Sequence, residues 1–465
     1  MRRSGEISRA YTDPSLRRGY HPSDDPEGTG LMRQITYCLR LARRFLHMVR
    51  DEGWVRTWSH SRVWLGHRWR GRHPSIAPEV TGTLAYQGAW DVQAFWQESA
   101  VKSGFQIASP PALMQRRKVA LIGDLNLPQC RKYRVEQLGE IFQEAGVDYI
   151  FAHHEDLPRC MDILQDASHL MLYRLRSSPT ITRHLYEARR LRLPILYDID
   201  DPLFSVPAYA SYGNMAALPP EQVRGFLAGA PFYAEVMNLA DAISVSTPAL
   251  QDHARAFTNR PVFLRRNFAD RTTLGVTPRH GPRDGSGFRI CFASGSHGHE
   301  VDFAEISPDL ARFLAHDPAR RLVILGHFDR RRLPQALRGQ IECHPFAGYA
   351  SYLGHLAGCD AAVMPLADDL FNHCKSAVRV IDAASVGLPS LVGRVSDMQA
   401  VVEDGVTGRV LGPGGDWAAA LEDLARAPGL AREMGRQARQ RLEQRWTARL
   451  DAPVIDPAML RWVCA

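Results

Sequence analysis

RHGPRDGSG, residues 279–287, is rich in glycine, proline and charge, the composition of a linker. On either side of it, short apolar runs alternate with helical patterns. After it, strand-like runs fall at 290–293, 322–325, 341–343, 361–364, 390–392 and 410–411, with helical periodicity over 303–316, 349–357, 378–386, 398–403 and 417–425. Before it, runs at 119–123, 149–151, 170–173, 195–197 and 242–245 alternate in the same way, the first followed by a helical stretch over 133–145. Strand–helix alternation implies a parallel sheet covered on both faces. The expectation is therefore two α/β, Rossmann-like domains, 115–278 and 288–446, joined by the linker. Open parallel sheets bind ligands at the carboxyl ends of their strands, which makes the space between the domains the expected cleft. A C-terminal tail, 447–465, is expected to pack back on the N-terminal domain. Residues 1–114 form a basic, partly helical N-terminal extension.

The chain of 465 residues, 45% hydrophobic and 23% charged, is long enough for two sizeable cores. No run of about 18 apolar residues and no apolar leader occurs, so a cytoplasmic protein that does not span a membrane is expected. Eight cysteines without a CxxC pair suggest neither a zinc ribbon nor a disulfide framework.

The formal charge of +7 is not spread evenly. Residues 31–72 carry ten arginines against Asp51 and Glu52, an excess of about eight positive charges. The same segment has an apolar stripe at helical spacing, Leu31, Ile35, Cys38, Ala42, Phe45 and Val49, followed by Trp54, Trp58, Trp64 and Trp69. Arginine mixed with tryptophan on a helix fits an anionic membrane surface, and equally a stripe packed on the enzyme with its arginines in water. No nucleic-acid reading motif accompanies the charge, so nucleic acid is not an expected partner.

One block, FNHCKSAVRVIDAASVGLPSLVGRVSDMQAVVEDGVTGRVL at 371–411, carries a lysine-serine pair, an acid opening an A-x-x-x-G-x-P helix end and a D-G-x-T-G turn. Weaker motifs are CRKYRVEQL (130–138), YDIDDPLF (197–204) and FASGSHGHEVDF (292–303). Over about residues 118–446 the chain thereby resembles the bacterial group 1 transferases, family four of the glycosyltransferases, in particular the branch active on cell-surface polysaccharides. The resemblance implies the GT-B architecture, a nucleotide diphosphate-sugar donor in the C-terminal domain, a glycan or lipid-linked acceptor in the N-terminal one, retention of the anomeric configuration, and no metal or other cofactor.

Such a reaction needs cations and backbone N–H groups at the leaving diphosphate. Ser294, Gly295 and Ser296 follow the first strand of the second domain, with His297 and His299 beside them, where a small-residue turn lets backbone approach phosphate. Lys375 and Ser376 precede a helix, so the lysine charge adds to the helix dipole. Asp382 on that helix suits a pair of ribose hydroxyls, a place where the family usually has glutamate. Cys374 stands where many relatives carry a sugar-contacting glutamate. Asn372 and His373 can replace its polar contacts or cap a helix. The aspartates Asp198, Asp200 and Asp201 read either as the acceptor side of the cleft or as an Asp-Pro turn with capping. Tyr133, Arg134 and Arg174 join them on the acceptor side, Arg134 binding an anionic acceptor or pairing with an aspartate. Lys375, Asp201 and His299 are the expected catalytic residues. The competing reading from another class is a catalytically lapsed scaffold in a polysaccharide assembly complex, which the absence of an acid at Cys374 would explain.

Overall fold

Along Lys118–Gly123 (β1), Val119 and Leu121 enter one apolar cluster while Ala120 and Ile122 enter another. Successive side chains of a strand point to opposite faces, so this strand is buried on both. The computed structural model describes residues 117–278, 287–295, 299–329, 333, 335–452 and 454–464, and, between 42 and 65, Ala42, Phe45, Leu46, Val49, Arg50, Gly53, Trp54, Val55, Thr57, Trp58, Ser61, Arg62 and Leu65. Most of the N-terminal extension and of the linker, together with Ser296 and His297, lie outside the described residues.

The first sheet contains β1, Asp148–His153 (β2), His169–Tyr173 (β3), Ile195–Ile199 (β4), Ala242–Val245 (β5) and Val262–Leu264 (β6), in the order β2-β1-β3-β4-β5-β6. The second contains Arg289–Ser294 (β7), Arg321–Gly326 (β8), Ile341–His344 (β9), Ala361–Met364 (β10), Ser390–Gly393 (β11) and Gly408–Leu411 (β12), in the order β12-β11-β10-β7-β8-β9. All pairings are parallel. Two such α/β domains make the GT-B form. In the second sheet β7 pairs with both β8 and β10, and the direction of winding reverses there. That reversal opens a crevice at the carboxyl ends of β7 and β10.

Two elements differ from expectation. The strand β6 is only three residues long and runs straight into Arg265 and Arg266, too short and too charged to register as an apolar run. The helix expected over 133–145 is three pieces: Pro128–Arg131, a π-helical turn Lys132–Glu136, and Leu138–Glu144. The wider turn buries Lys132, Tyr133 and Arg134.

The C-terminal helix Pro428–Arg445 packs on the second domain, where a Cβ at Gly435 would lie 1.9 Å from the Gly387 carbonyl oxygen. The chain then crosses back. Ile455 bridges Arg265 in antiparallel fashion, the Arg266 N–H donates to Val454 O (2.6 Å), and the Asp456 N–H donates to Leu264 O (2.8 Å). In the last helix, Pro457–Cys464, Met459 and Val463 are fully buried and Trp462 lies edge-on to His169.

The N-terminal segment is a separate unit. Its described residues are helical around Gly53, whose φ of +82° marks a break. Trp54 stacks on Trp58 and meets Phe45 edge-on, and Trp54, Val55 and Trp58 are all more than half exposed. Among the described residues no helix is long and apolar enough to cross a membrane.

Candidate active site

At the crevice, β7 ends in Ser294 with Gly295 directly after it, and β8 ends in Gly326. Gly326 adopts φ +100°, and a Cβ there would sit 2.1 Å from the Ser294 carbonyl oxygen. Only glycine permits this approach, and it sets the course of the backbone around Ser294. Gly295 opens onto free space. Two helices start beside this turn, Glu300–Ala315 after β7 and Val378–Ser385 after β10, and no side chain caps either start. Their first N–H groups are thus left for an anion.

Lys375 and Ser376 immediately precede the second of these helices. The Lys375 ammonium lies over the rings of Phe371 (5.0 Å) and Tyr212 (5.5 Å) and 3.9 Å from an Asp201 oxygen. Burial alone would lower its pKa, but Tyr212, Asp201 and Asp302 outweigh this and raise it, so the charge is secure. Arg379, one turn on, donates to the Ala293 carbonyl (3.4 Å) and brings a second cation to the end of β7. The sequence reading passed it over, although its i, i+4 spacing from Lys375 is a signal.

His299 starts the Glu300–Ala315 helix with Nδ1 2.8 Å from an Asp302 oxygen. Burial keeps the imidazole neutral, and the carboxylate, an acceptor, fixes the proton on Nδ1 and leaves Nε2 a lone pair. Asp302 also receives the Ala367 N–H (3.1 Å) and the side-chain amides of Asn372 (3.2 Å) and Asn214 (2.8 Å). Asn372 is further held by Asp369. Asp302, three residues after His299, was missed despite its helical spacing. Asn214 arrives from a 3-10 turn, Gly213–Ala217, with no sequence signal at all.

Across the seam, Asp200 and Asp201 share the Arg174 guanidinium at 2.9 and 3.3 Å. Burial and the adjacent Asp201 push the Asp200 carboxyl up. For Asp201, burial is overcome by Lys375 and Arg174, which hold it below the usual carboxylate range. Arg174 itself has φ +52°, a strained conformation for a residue with a side chain, located at the end of β3.

Other expected residues have different surroundings. Arg134 and Asp198, read as acceptor-side, are fully buried. Arg134 donates to both Asp198 oxygens (3.0 and 2.5 Å), Arg265 donates to the same carboxylate (2.6 Å), and the Ser244 hydroxyl joins them. Arg134 thus takes the pairing alternative, and Asp198 is held by two arginines rather than in a capping turn, with neither offering a free surface. The Cys374 thiol likewise lies fully buried in the apolar cluster of the N-terminal domain, its pKa pushed up to about 12 by burial, rather than facing a donor sugar. His373 pairs with Asp368 at the surface.

Tyr133, expected near an acceptor, instead donates to Asp382 across the seam, and Tyr349 donates to the same oxygen (2.6 Å). The carboxylate expected to hold ribose is thereby wrapped in tyrosines, its pKa pushed up to about 6 by burial against their hydrogen bonds. Nearby, Asn267 donates to the Ser376 hydroxyl (2.9 Å) while its carbonyl accepts from Arg134 (3.1 Å), coupling the buried triad to the loop that carries Lys375. Arg266 pairs with Asp397, a third tie across the seam.

Residues 292–427, which span β7 to the end of the Trp417–Arg426 helix and include Ser294, His299, Lys375 and Arg379, match the family model of the glycosyl transferases group 1. The match lies within the second domain and covers less than a third of the chain. No curated protein matches the chain in sequence. Among solved structures, it is similar to sucrose-phosphate synthase from Thermosynechococcus elongatus (15% identity, 71% of this chain and 94% of that one, TM-score 0.49). It is also similar to HepE of Anabaena in complex with UDP and glucose (13%, 72% and 96%, TM-score 0.48) and to a glycosyltransferase from Rickettsia africae (9%, 75% and 96%, TM-score 0.48). Among the described residues no group of three or more His, Cys, Asp or Glu side chains is placed to hold a metal ion.

Proposed function

We propose that the protein is a glycosyltransferase that binds a nucleoside diphosphate-sugar at the crossover between β7 and β10 and transfers the sugar, with retention and without a metal, to a hydroxyl of a glycan or lipid-linked acceptor of the cell surface. The observation that carries the reading is the convergence of Lys375 and Arg379 on the Ser294–Gly295 turn beside two uncapped helix starts. Fixed cations and N–H dipoles stabilise the charge that develops on a departing diphosphate without reorganising during the reaction. Asp201, held ionised 3.9 Å from Lys375, lies where an acceptor hydroxyl meets the donor. The neutral His299, with Nε2 available, is the second polar group for that hydroxyl. Retention requires attack from the face the diphosphate leaves, so positioning outweighs a strong base.

The test is a thermal-shift screen against UDP, GDP, ADP, dTDP and their sugars, with EDTA and with magnesium. A nucleotide at 100 times its dissociation constant stabilises by about 2.7 kcal/mol. The expected result is a shift selective for one nucleotide, undiminished by EDTA and absent in Lys375→Ala. Folded protein that responds to none of them is instead a lapsed scaffold.

The N-terminal segment extends the proposal to a membrane. Exposed Trp54 and Trp58 among the arginines of 31–72 suit the headgroup boundary of an anionic bilayer. Co-sedimentation with phosphatidylglycerol vesicles, lost at high salt and absent with phosphatidylcholine, is expected. Equal binding to both lipids, or to neither, contradicts it.

A further inference from the structure

With Cys374 buried in apolar surroundings, the proposed donor site still needs groups that read the sugar. Asn214 comes from the N-terminal domain and Asn372 from the helix Leu370–His373 of the C-terminal one, and both amides point their Nδ2 groups at Asp302 (2.8 and 3.2 Å). An ionised carboxylate can only accept, so neither amide can be turned round, and both Oδ1 atoms must face away from Asp302. Asn214 is 2% exposed and Asn372 is fully buried, yet neither Oδ1 has a hydrogen-bond partner among the described residues. Native structures seldom leave a buried carbonyl unmatched, and where they do a ligand is one explanation.

These two oxygens lie in the electrostatic neighbourhood of the phosphate-side cations. The second Nδ2 hydrogen of Asn214 goes to the Tyr212 hydroxyl (2.8 Å), and the Lys375 ammonium lies over the Tyr212 ring. They require donors. An ionised diphosphate has none, whereas a hexosyl unit carries several O–H groups. They also come from different domains and meet across the seam.

We propose that Asn214 and Asn372 form the subsite that reads hydroxyl groups of the transferred hexosyl unit, with Asp302 as the positioning residue that locks both amides. This rests on the donor reading above. The experiment compares wild type, Asn214→Ala, Asn372→Ala, Asn372→Ser and Asp302→Asn by calorimetric titration of the free nucleoside diphosphate. It also measures kcat/KM for transfer from the intact donor and from donors deoxygenated at single sugar positions. The expected result has every folded Asn214 and Asn372 variant binding the diphosphate as wild type does. Each Asn variant loses about tenfold or more in kcat/KM for the intact donor, and one deoxy donor is penalised in wild type but not in the matching variant. In Asp302→Asn the preference for the intact over the deoxy donor fades. Retained kcat/KM in the Asn variants, or deoxy penalties identical in wild type and variants, overturns the proposal. Failure of wild type itself to bind any nucleoside diphosphate overturns the donor reading instead.

Discussion

Asp198 receives two guanidiniums and a serine hydroxyl with no access to water, so its charge is balanced only by those partners. Removing one member of such a buried set strands the others, at a cost of about 3–5 kcal/mol. Asp198→Ala, which leaves Arg134 and Arg265 facing each other unpaired, should lower the melting temperature by several degrees. Arg134→Lys should also destabilise, because an ammonium cannot reproduce the two-pronged contact. Melting curves of the purified variants check both, and unchanged curves would contradict the triad's role. Asp382 makes a prediction of opposite sign. Its carboxyl titrates near 6 when folded against 3.8 as a free side chain, so protonation favours the native state. That contribution is complete below about pH 4 and is lost as the pH rises through 6, amounting to about 3 kcal/mol over about two pKa units. Asp382→Asn should therefore leave stability unchanged near pH 4, raise it near pH 7 and flatten the profile between. Asp397, also pushed up to about 6 by burial, accounts for the slope that remains. Urea midpoints across that range are the measurement, and a slope identical to wild type would refute the assignment.

At the scale of elements, the glycine at the end of β8 governs the turn at Ser294. Gly326→Ala demands a left-handed residue and a Cβ 2.1 Å from the Ser294 carbonyl oxygen, so β7 and β8 must separate at their tips. We expect lower stability together with weaker nucleoside diphosphate binding, whereas Gly295→Ala, whose Cβ meets nothing, should preserve the fold. Melting and titration of the two variants separate strain from simple loss of space. Most strands were legible because parallel, doubly buried strands are short unbroken apolar runs, as in VALIG or LVIL. The turn at Ser294 and Gly295 was legible because a strand, small residues and a helix start follow closely on one another. What escaped was of another kind. The π turn at Lys132–Glu136 leaves no mark in the periodicity, and only its geometry sends Tyr133 to Asp382 and Arg134 to Asp198. Asn214 lies 88 residues from Asp302, and contacts over such distances have no local pattern to betray them.

At the scale of the whole molecule, the two domains are joined twice by the chain, once through the linker and once by the tail that leaves Trp446. The second joining adds packing to connectivity. Val454, Ile455, Met459 and Val463 are nearly or wholly buried, and each such side chain stabilises by about 1.5–3 kcal/mol. Together that is roughly 6–12 kcal/mol, an upper bound since the unfolded chain hides some of this surface. A contribution of this size is comparable with the net stability of a typical domain. The tail also bridges Arg265 just beyond β6, the outermost strand of the first sheet, and would otherwise leave that edge open to pairing with other chains. Truncation after Trp446 should therefore act on the N-terminal domain although the cut lies in the C-terminal half of the sequence. Scanning calorimetry of the truncated protein should show an early transition for the N-terminal domain and a later one for the C-terminal domain, which a bound nucleoside diphosphate still shifts upward. A single transition at the original temperature would mean that the tail merely rests on the sheet. The split outcome would mean that the first domain, through Arg265, Asp198 and Arg134, is held in shape by the last residues of the chain.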